Sequence, residues 1–374
     1  MKRLVVVVLL SCTLVLSGCW DTREFKEVKL GITAAYDLTE DNVYTNTILI
    51  PNVQNSSSAG PGQESVQFLT ATGGTPQEAR ANIDRRLSSS YSPSQLDVLL
   101  LGENLAKKDI YPYIDAFYRD PRLHLDAVLA VVKGNAEQAL KVVPESEMRP
   151  SEYIEGILES NVETTRSMEV NLQTMGAEIF ENGQDFVVPA MQVGDGGKTV
   201  SYEGLALFHK SSYTGKDIPF DHTTLFLLMK NVKGKVASMT TKLYDGKEPQ
   251  PNNYVSVHVE DYTSKIKSKP SKEHKVRTDI NLEMTVMIEE YPTDDLSLSV
   301  LPRLTKDIEK ALTKEASDII KTTQDADCDV FGIGRSIYGH YPDYWKKLDW
   351  DKIYKDIEIV PHIKVNVRTR GIFR

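Results

Sequence analysis

Cysteine is almost absent. The chain of 374 residues has three, Cys12, Cys19 and Cys328. Cys12 lies inside an N-terminal apolar run and Cys19 just after it, so Cys328 stands alone in the body of the chain. With no pair left there, no internal disulfide can hold the fold, and core burial must. Histidine is also sparse, and the 7 residues fall singly, at His124, His209, His222, His258, His274, His340 and His362. No two sit at metal-ligand spacing and no His-Glu-x-x-His occurs, so the sequence offers no metal site. No Gly-x-Ser-x-Gly elbow supplies a hydrolase nucleophile. Gly73-Gly74-Thr75 lacks the Gly-Lys-Ser/Thr of a phosphate loop, and a helix cap accounts for it. Phe331-Gly332-Ile333-Gly334-Arg335 lacks the third glycine of a dinucleotide fingerprint and reads as a turn. Basic excess is missing too: the net charge is −9, which argues against nucleic acid as a partner. No catalytic, cofactor or metal residue is therefore nominated, and Cys328 reads as a small packed residue.

What is present begins at the N-terminus. Lys2 and Arg3 precede an apolar run, Leu4 to Leu16, interrupted only by Ser11, Cys12 and Thr13. Ser17-Gly18-Cys19 follows. Positive, apolar, small, then cleavage is the order of a secretory signal, and a cysteine after the small pair is a lipobox. The run is shorter than the roughly 20 apolar residues that span a bilayer. Residues 1–18 are thus expected to be a cleaved signal peptide. Cys19 is the expected lipidation site, an S-diacylglycerol cysteine whose amino group is open to further acylation. Each buried methylene is worth about 0.8 kcal/mol, and two chains anchor where one barely does. No later run approaches spanning length, so the expected product is a folded body on a lipid tether.

In that body, Lys26 to Asn52 reads as strand, turn and strand, and Gln54 to Glu64 as an exposed loop. Val66 to Thr72 is a strand. Thr75-Pro76-Gln77-Glu78 is a capping box that opens a helix to about Leu87. Leu96 to Leu101 is an apolar run suited to the middle of a sheet. Leu105 to Tyr118 reads as a helix, Leu125 to Val132 as a strand, and Asn135 as the cap of a short helix. Ser151 to Glu181 gives one or two helices, and Gly194-Asp195-Gly196-Gly197 a hairpin or linker. Tyr202 to Phe208 begins further short strands. His222 to Lys230 looks helical; Val236 to Leu243 and Val255 to Val259 look extended. Ile280, Leu282, Met284, Val286 and Ile288 alternate with polar positions, as in a half-buried strand. Leu304, Ile308, Ala311, Leu312 and Ile319 mark one face of a long helix. Ile357 to Val367 is a closing strand.

Two stretches stand out as surfaces. Lys265, Lys267, Lys269, Lys272 and Lys275, beside Pro270 and His274, read either as a solvated loop or as a patch for anionic headgroups or an acidic partner. Tyr338, Tyr341, Tyr344, Trp345, Trp350 and Tyr354 read either as core and interdomain packing or as an interface.

Cys19-Trp20-Asp21 with Arg23-Glu24 resembles the mature start of the Ger(x)C family, the C-subunit lipoproteins of spore germinant receptors. Tyr202-Glu203-Gly204-Leu205-Ala206-Leu207-Phe208, Asp327-Cys328-Asp329-Val330-Phe331-Gly332-Ile333-Gly334, Tyr341-Pro342-Asp343-Tyr344-Trp345 with Trp350, and the strand from Ile357 to Arg370 carry the resemblance through the chain. It implies an α+β fold of three mixed domains with antiparallel or mixed sheets. Boundaries are expected at 19–198, 199–262 and 263–374. It also implies a non-enzymatic subunit on the outer face of the spore inner membrane. Membrane lipid would hold it through Cys19, beside membrane A and B subunits. A second reading, a solute-binding lipoprotein that captures the nutrient itself, would need a cleft between two similar lobes, and no duplication is visible.

Overall fold

The computed structural model describes residues 28–52, 65–121, 123–142, 149–273, 275–291 and 299–369. In chain order the first half runs β1 (Val28–Leu30), β2 (Thr33–Leu38), β3 (Tyr44–Asn52), β4 (Ser65–Gly73), α1 (Pro76–Asp84), β5 (Ser90–Ser92), β6 (Val98–Gly102), α2 (Glu103–Ala106), α3 (Tyr111–Arg119), β7 (Val128–Lys133), α4 (Ala136–Leu140), α5 (Pro150–Glu163), α6 (Leu172–Ile179) and β8 (Phe186–Gly194). Then come β9 (Thr199–His209), β10 (Ser212–Pro219), α7 (Phe220–Met229), β11 (Ser238–Lys242), β12 (Tyr254–Ser271), β13 (Lys275–Glu290), α8 (Leu301–Asp325), α9 (Ile333–His340), α10 (Pro342–Trp345), α11 (Trp350–Ile353) and β14 (Glu358–Thr369). The fold is α+β, with mixed sheets.

Eight strands form the larger sheet, in the order β10-β9-β8-β7-β6-β2-β3-β4. Its middle, β2, β6, β7 and β8, is parallel, and both flanks are antiparallel. Sequence explains the difference. Val98-Leu99-Leu100-Leu101-Gly102 is buried at every residue, as a strand covered on both faces must be. One face meets α1, α3 and α6 through Ile83, Ile114 and Met175; the other meets α4 and α5 through Leu140 and Ile154. The Gly194–Thr199 connection is a β-hairpin turn within this sheet.

The smaller sheet has the order β11-β12-β13-β14. Its inner face is the alternating set Ile280, Leu282, Met284, Val286 and Ile288, all buried. The long helix α8 lies on it through Leu304, Ile308, Leu312 and Ile319. Between the two sheets sits α7, and its last seven residues, Thr223 to Met229, are all buried. A helix apolar on every side belongs in an interior. Here it joins one core to Val187, Leu205 and Ile218 of the larger sheet and to Val257 and Ile280 of the smaller.

Three local readings change. The helix expected over Leu105 to Tyr118 is two helices, α2 and α3. Pro112 stands at the start of the second, where it restricts Tyr111 before it. The Asp109 carboxylate accepts from the Tyr111 N–H (3.0 Å), and the Ile110 N–H is drawn off to the Ser211 carbonyl. Asn135 holds the N-cap position of α4 as expected, but its side chain makes no capping bond. Asp37, at the end of β2, accepts from the N–H groups of Ala136 (2.8 Å) and Glu137 (3.0 Å) instead. Burial raises the Asp37 carboxyl to about 6. Finally, the run of lysines is not a loop. Strand β12 extends to Ser271, because β13 pairs with it as far as Lys275. By contrast, the cap at Thr75 forms as expected, its Oγ1 accepting from the Glu78 N–H (3.1 Å), while the Glu78 side chain closes the box one residue early, on the Gly74 N–H (2.8 Å).

Candidate functional site

The segment Asp327 to Gly334 leaves α8 and buries itself where the two sheets meet. The Asp329 carboxylate accepts from the N–H groups of Ile333 (3.0 Å) and Gly334 (2.7 Å), the first turn of α9. A buried anion at a helix start satisfies donors that have no partner inside the helix. A second carboxylate, Asp185, accepts from the Asp329 N–H (2.8 Å) and the Lys210 N–H (2.8 Å), and His209 Nδ1 lies 3.0 Å away. The Asp185 N–H donates to the Asp329 carbonyl (2.9 Å) in return. The Cys328 thiol donates to the Phe208 carbonyl (3.0 Å), and Lys230 Nζ to the Val330 carbonyl (2.5 Å). Three segments distant in sequence, at 185, 208–210 and 328–334, are thus tied by one buried polar knot.

Its electrostatics follow from burial. Burial pushes the Asp329 carboxyl up to about 7, against the pull of the Gly334 and Ile333 N–H groups. The Asp185 hydrogen bond holds the His209 imidazole above its usual range. Burial raises the Cys328 thiol well above its ordinary value and lowers the Lys230 ammonium. A buried thiol kept protonated is a poor nucleophile. Both carboxylates already accept from backbone N–H groups. The knot therefore fixes the geometry of the junction.

From this junction a file of aromatic rings runs outward. Tyr354 to Trp350 is 6.0 Å between centroids, Trp350 to Trp345 5.5 Å, and Trp345 to Tyr338 5.9 Å. Tyr354 and Trp350 are buried, whereas Tyr338 is 47% and Tyr341 39% exposed. Core packing thus describes the inner end of the file and not the outer one. Trp350 closes over Gly334, where a Cβ would stand 2.6 Å from the indole.

The lysines of β12 occupy a different face. Lys265, Lys267 and Lys269 are exposed on alternate positions, opposite Asn281, Asp279 and Arg277 of β13. Of the clefts, one of about 260 Å³ lies between α5 and the start of β7, with Leu158, Val162 and Val170 below Glu155 and Glu159. Among the described residues no three His, Cys, Asp or Glu side chains gather to hold a metal. No helix among them is long and apolar enough to cross a membrane. Cys19, Trp20, Asp21, Arg23 and Glu24 lie outside the described residues, as do His274 and the expected loop over 54–64.

Comparison with known families now fits this frame. Residues 21–193 match the spore germination protein N-terminal domain, and residues 203–371 match the spore germination B3/GerAC-like C-terminal domain. The chain belongs to this family of spore germination proteins. Spore germination protein KC of Bacillus subtilis is 25% identical, over 100% of this chain and 95% of that protein. Spore germination protein GerQC of Bacillus cereus is 23% identical, over 100% and 99%. The crystal structure of the GerBC protein superposes with a TM-score of 0.58 at 19% identity, over 89% of this chain and 96% of that one. Two resembling segments have clear structural reasons: Tyr202 to Phe208 is β9 at the inter-sheet core, and Asp327 to Gly334 is the knot. The residues that sequence reasoning missed, Asp37 and Asp185, carry no local signal. Each is an ordinary turn-adjacent aspartate whose partners lie far along the chain.

Proposed function

We propose that this chain is the lipid-anchored C subunit of a spore germinant receptor, acting on the outer face of the spore inner membrane beside membrane A and B subunits. The observation that carries the reading is that proteins named for spore germination align with it from end to end. The lipobox at Cys19 supports the anchor. On this reading the diacylglyceryl group on Cys19 confines the body to the membrane, and that confinement raises its effective concentration toward membrane partners. On this reading the body works by contact and not by catalysis.

Intact mass and membrane fractionation of wild type and Cys19→Ala from spores of the source bacterium test it, scored with nutrient-triggered germination. The expected wild-type protein starts at residue 19, carries diacylglyceryl mass and sediments with the inner membrane. The variant is expected to leave that fraction and to slow germination. An unlipidated wild-type protein, or germination unchanged when the chain is deleted, would overturn the proposal.

A further inference from the structure

We propose that the outward face of the β12–β13 hairpin, with Tyr344 of α10 at its turn, is a second membrane contact that takes anionic lipid headgroups. The inference rests on the membrane-tethered reading above and adds which face the body turns to the bilayer. Beyond Val259, β12 is hydrogen-bonded on one side only, since β11 ends its pairing at Ser238 opposite His258. Along that free margin Lys265, Lys267 and Lys269 repeat every second residue, about 7 Å apart, in one row. Lys272 and Lys275 continue the row at the turn. None of these five ammonium groups has a hydrogen bond or ion pair within the described residues.

The neighbouring carboxylates offset the row only in part, because other cations share them and the lysines stay in excess. Asp279 is held by Arg277 (3.2 Å) and His362 (3.0 Å), Glu358 by Arg277 (2.7 Å), and Glu283 by Lys364 (2.8 Å). Beside the row, the Tyr344 hydroxyl donates to the Lys275 carbonyl (2.8 Å), which fixes the aromatic turn against the hairpin end. Tyr341, three residues before Tyr344, is 39% exposed. Tyrosine beside lysine suits the headgroup layer, where an amphipathic ring and a cation are both at home. A flat row of cations matches a plane of phosphates better than it matches a single acidic side chain.

Magnitudes define its role. The chain as a whole is acidic, at −9, and is repelled by an anionic surface at long range. Charges farther than about 8 Å are screened at physiological salt, so the row acts only on a body already held close. The tether recruits; the lysine face orients. The competing explanation is that lysines on an edge strand merely block pairing with another chain, and that explanation predicts no response to lipid.

The test uses the mature chain, residues 19–374, bound through an N-terminal histidine tag to nickel-chelating lipid in place of the acyl anchor. Vesicles are otherwise phosphatidylglycerol or phosphatidylcholine, and lysine acetylation is read by mass spectrometry. On phosphatidylglycerol, Lys265, Lys267 and Lys269 should label at least about tenfold more slowly than on phosphatidylcholine. Lys108 and Lys321, exposed away from this face, should label alike on both, and 0.5 M salt (about 4 Å of screening length) should erase the difference. The triple variant Lys265→Glu, Lys267→Glu, Lys269→Glu, with an unchanged melting curve, should lose the protection of Lys272 and Lys275. Equal labelling on the two lipids, protection that survives in the triple variant, or protection equally produced by soluble polyglutamate would each overturn the proposal. The nickel tether makes these outcomes independent of whether Cys19 is acylated.

Discussion

Replacing Asp329 with alanine removes roughly 2–6 kcal/mol of stability, because two buried N–H groups lose their acceptor at about 1–3 kcal/mol each. Those donors are Ile333 and Gly334, at 3.0 and 2.7 Å. Total stability of such proteins is of order 5–15 kcal/mol, so the loss brings the variant near unfolding. Urea denaturation measures it, and Asp329→Asn, which keeps one acceptor, should lose less. An Asp329→Ala midpoint within error of wild type would show that the knot does not hold the sheets together. A pH series adds a sign. The carboxyl is raised from 3.8 to about 7 in the folded protein. Between those values the unfolded chain has released a proton that the folded chain keeps, so stability falls as pH rises. The stability linked to this proton is complete below about pH 4 and is lost as pH rises through about 7. His209, also raised, adds the same sign above its ordinary 6.5. The Asn variant should therefore show a flatter profile from pH 4 to 7.

Gly204→Ala should be strongly damaging to the larger sheet. Gly204 has φ +135°, and a Cβ there would run into the Ile218 carbonyl oxygen of β10. The register explains the crowding. Ala190 pairs with Gly204 but Met191 pairs with Tyr202, so Glu203 is an extra residue and β9 bulges at this point. Backbone strain of about 1–3 kcal/mol adds to the displacement of a neighbouring strand. The expected total is roughly 2–4 kcal/mol, seen as a lower melting temperature and lower soluble yield. A melt equal to wild type would mean that β10 can retreat freely from β9.

Much of this fold is legible in the chain because its signals are local. The run Leu96 to Leu101, the alternation from Ile280 to Ile288, the face of α8 and the box at Thr75 each need fewer than 25 consecutive residues to read, about the length of that helix. What escapes is set by partners far away. Asp37 caps a helix 99 residues on. Asp185 meets Asp329 across 144 residues. The outer half of β12 is too polar to announce a strand and exists because β13 supplies its ladder. The aromatic segment after Gly332 is three short helices, hidden because its rings follow packing against Gly334 and Thr323 and not a 3.6-residue period. Two of the resembling segments hold positions where geometry restricts the residue, Gly204 at the bulge of β9 and Asp329 at the start of α9.

Helix α7, enclosed between the two sheets, has a mechanical meaning. Prising the sheets apart would wet the seven residues from Thr223 to Met229 all at once. Such a joint has no compliant position between closed and open. Calorimetry should accordingly record one endotherm, and a protease should find no early cut between residues 223 and 229. A push delivered at one end of such a body emerges at the other nearly undiminished, which is the behaviour of a strut and not of a hinge.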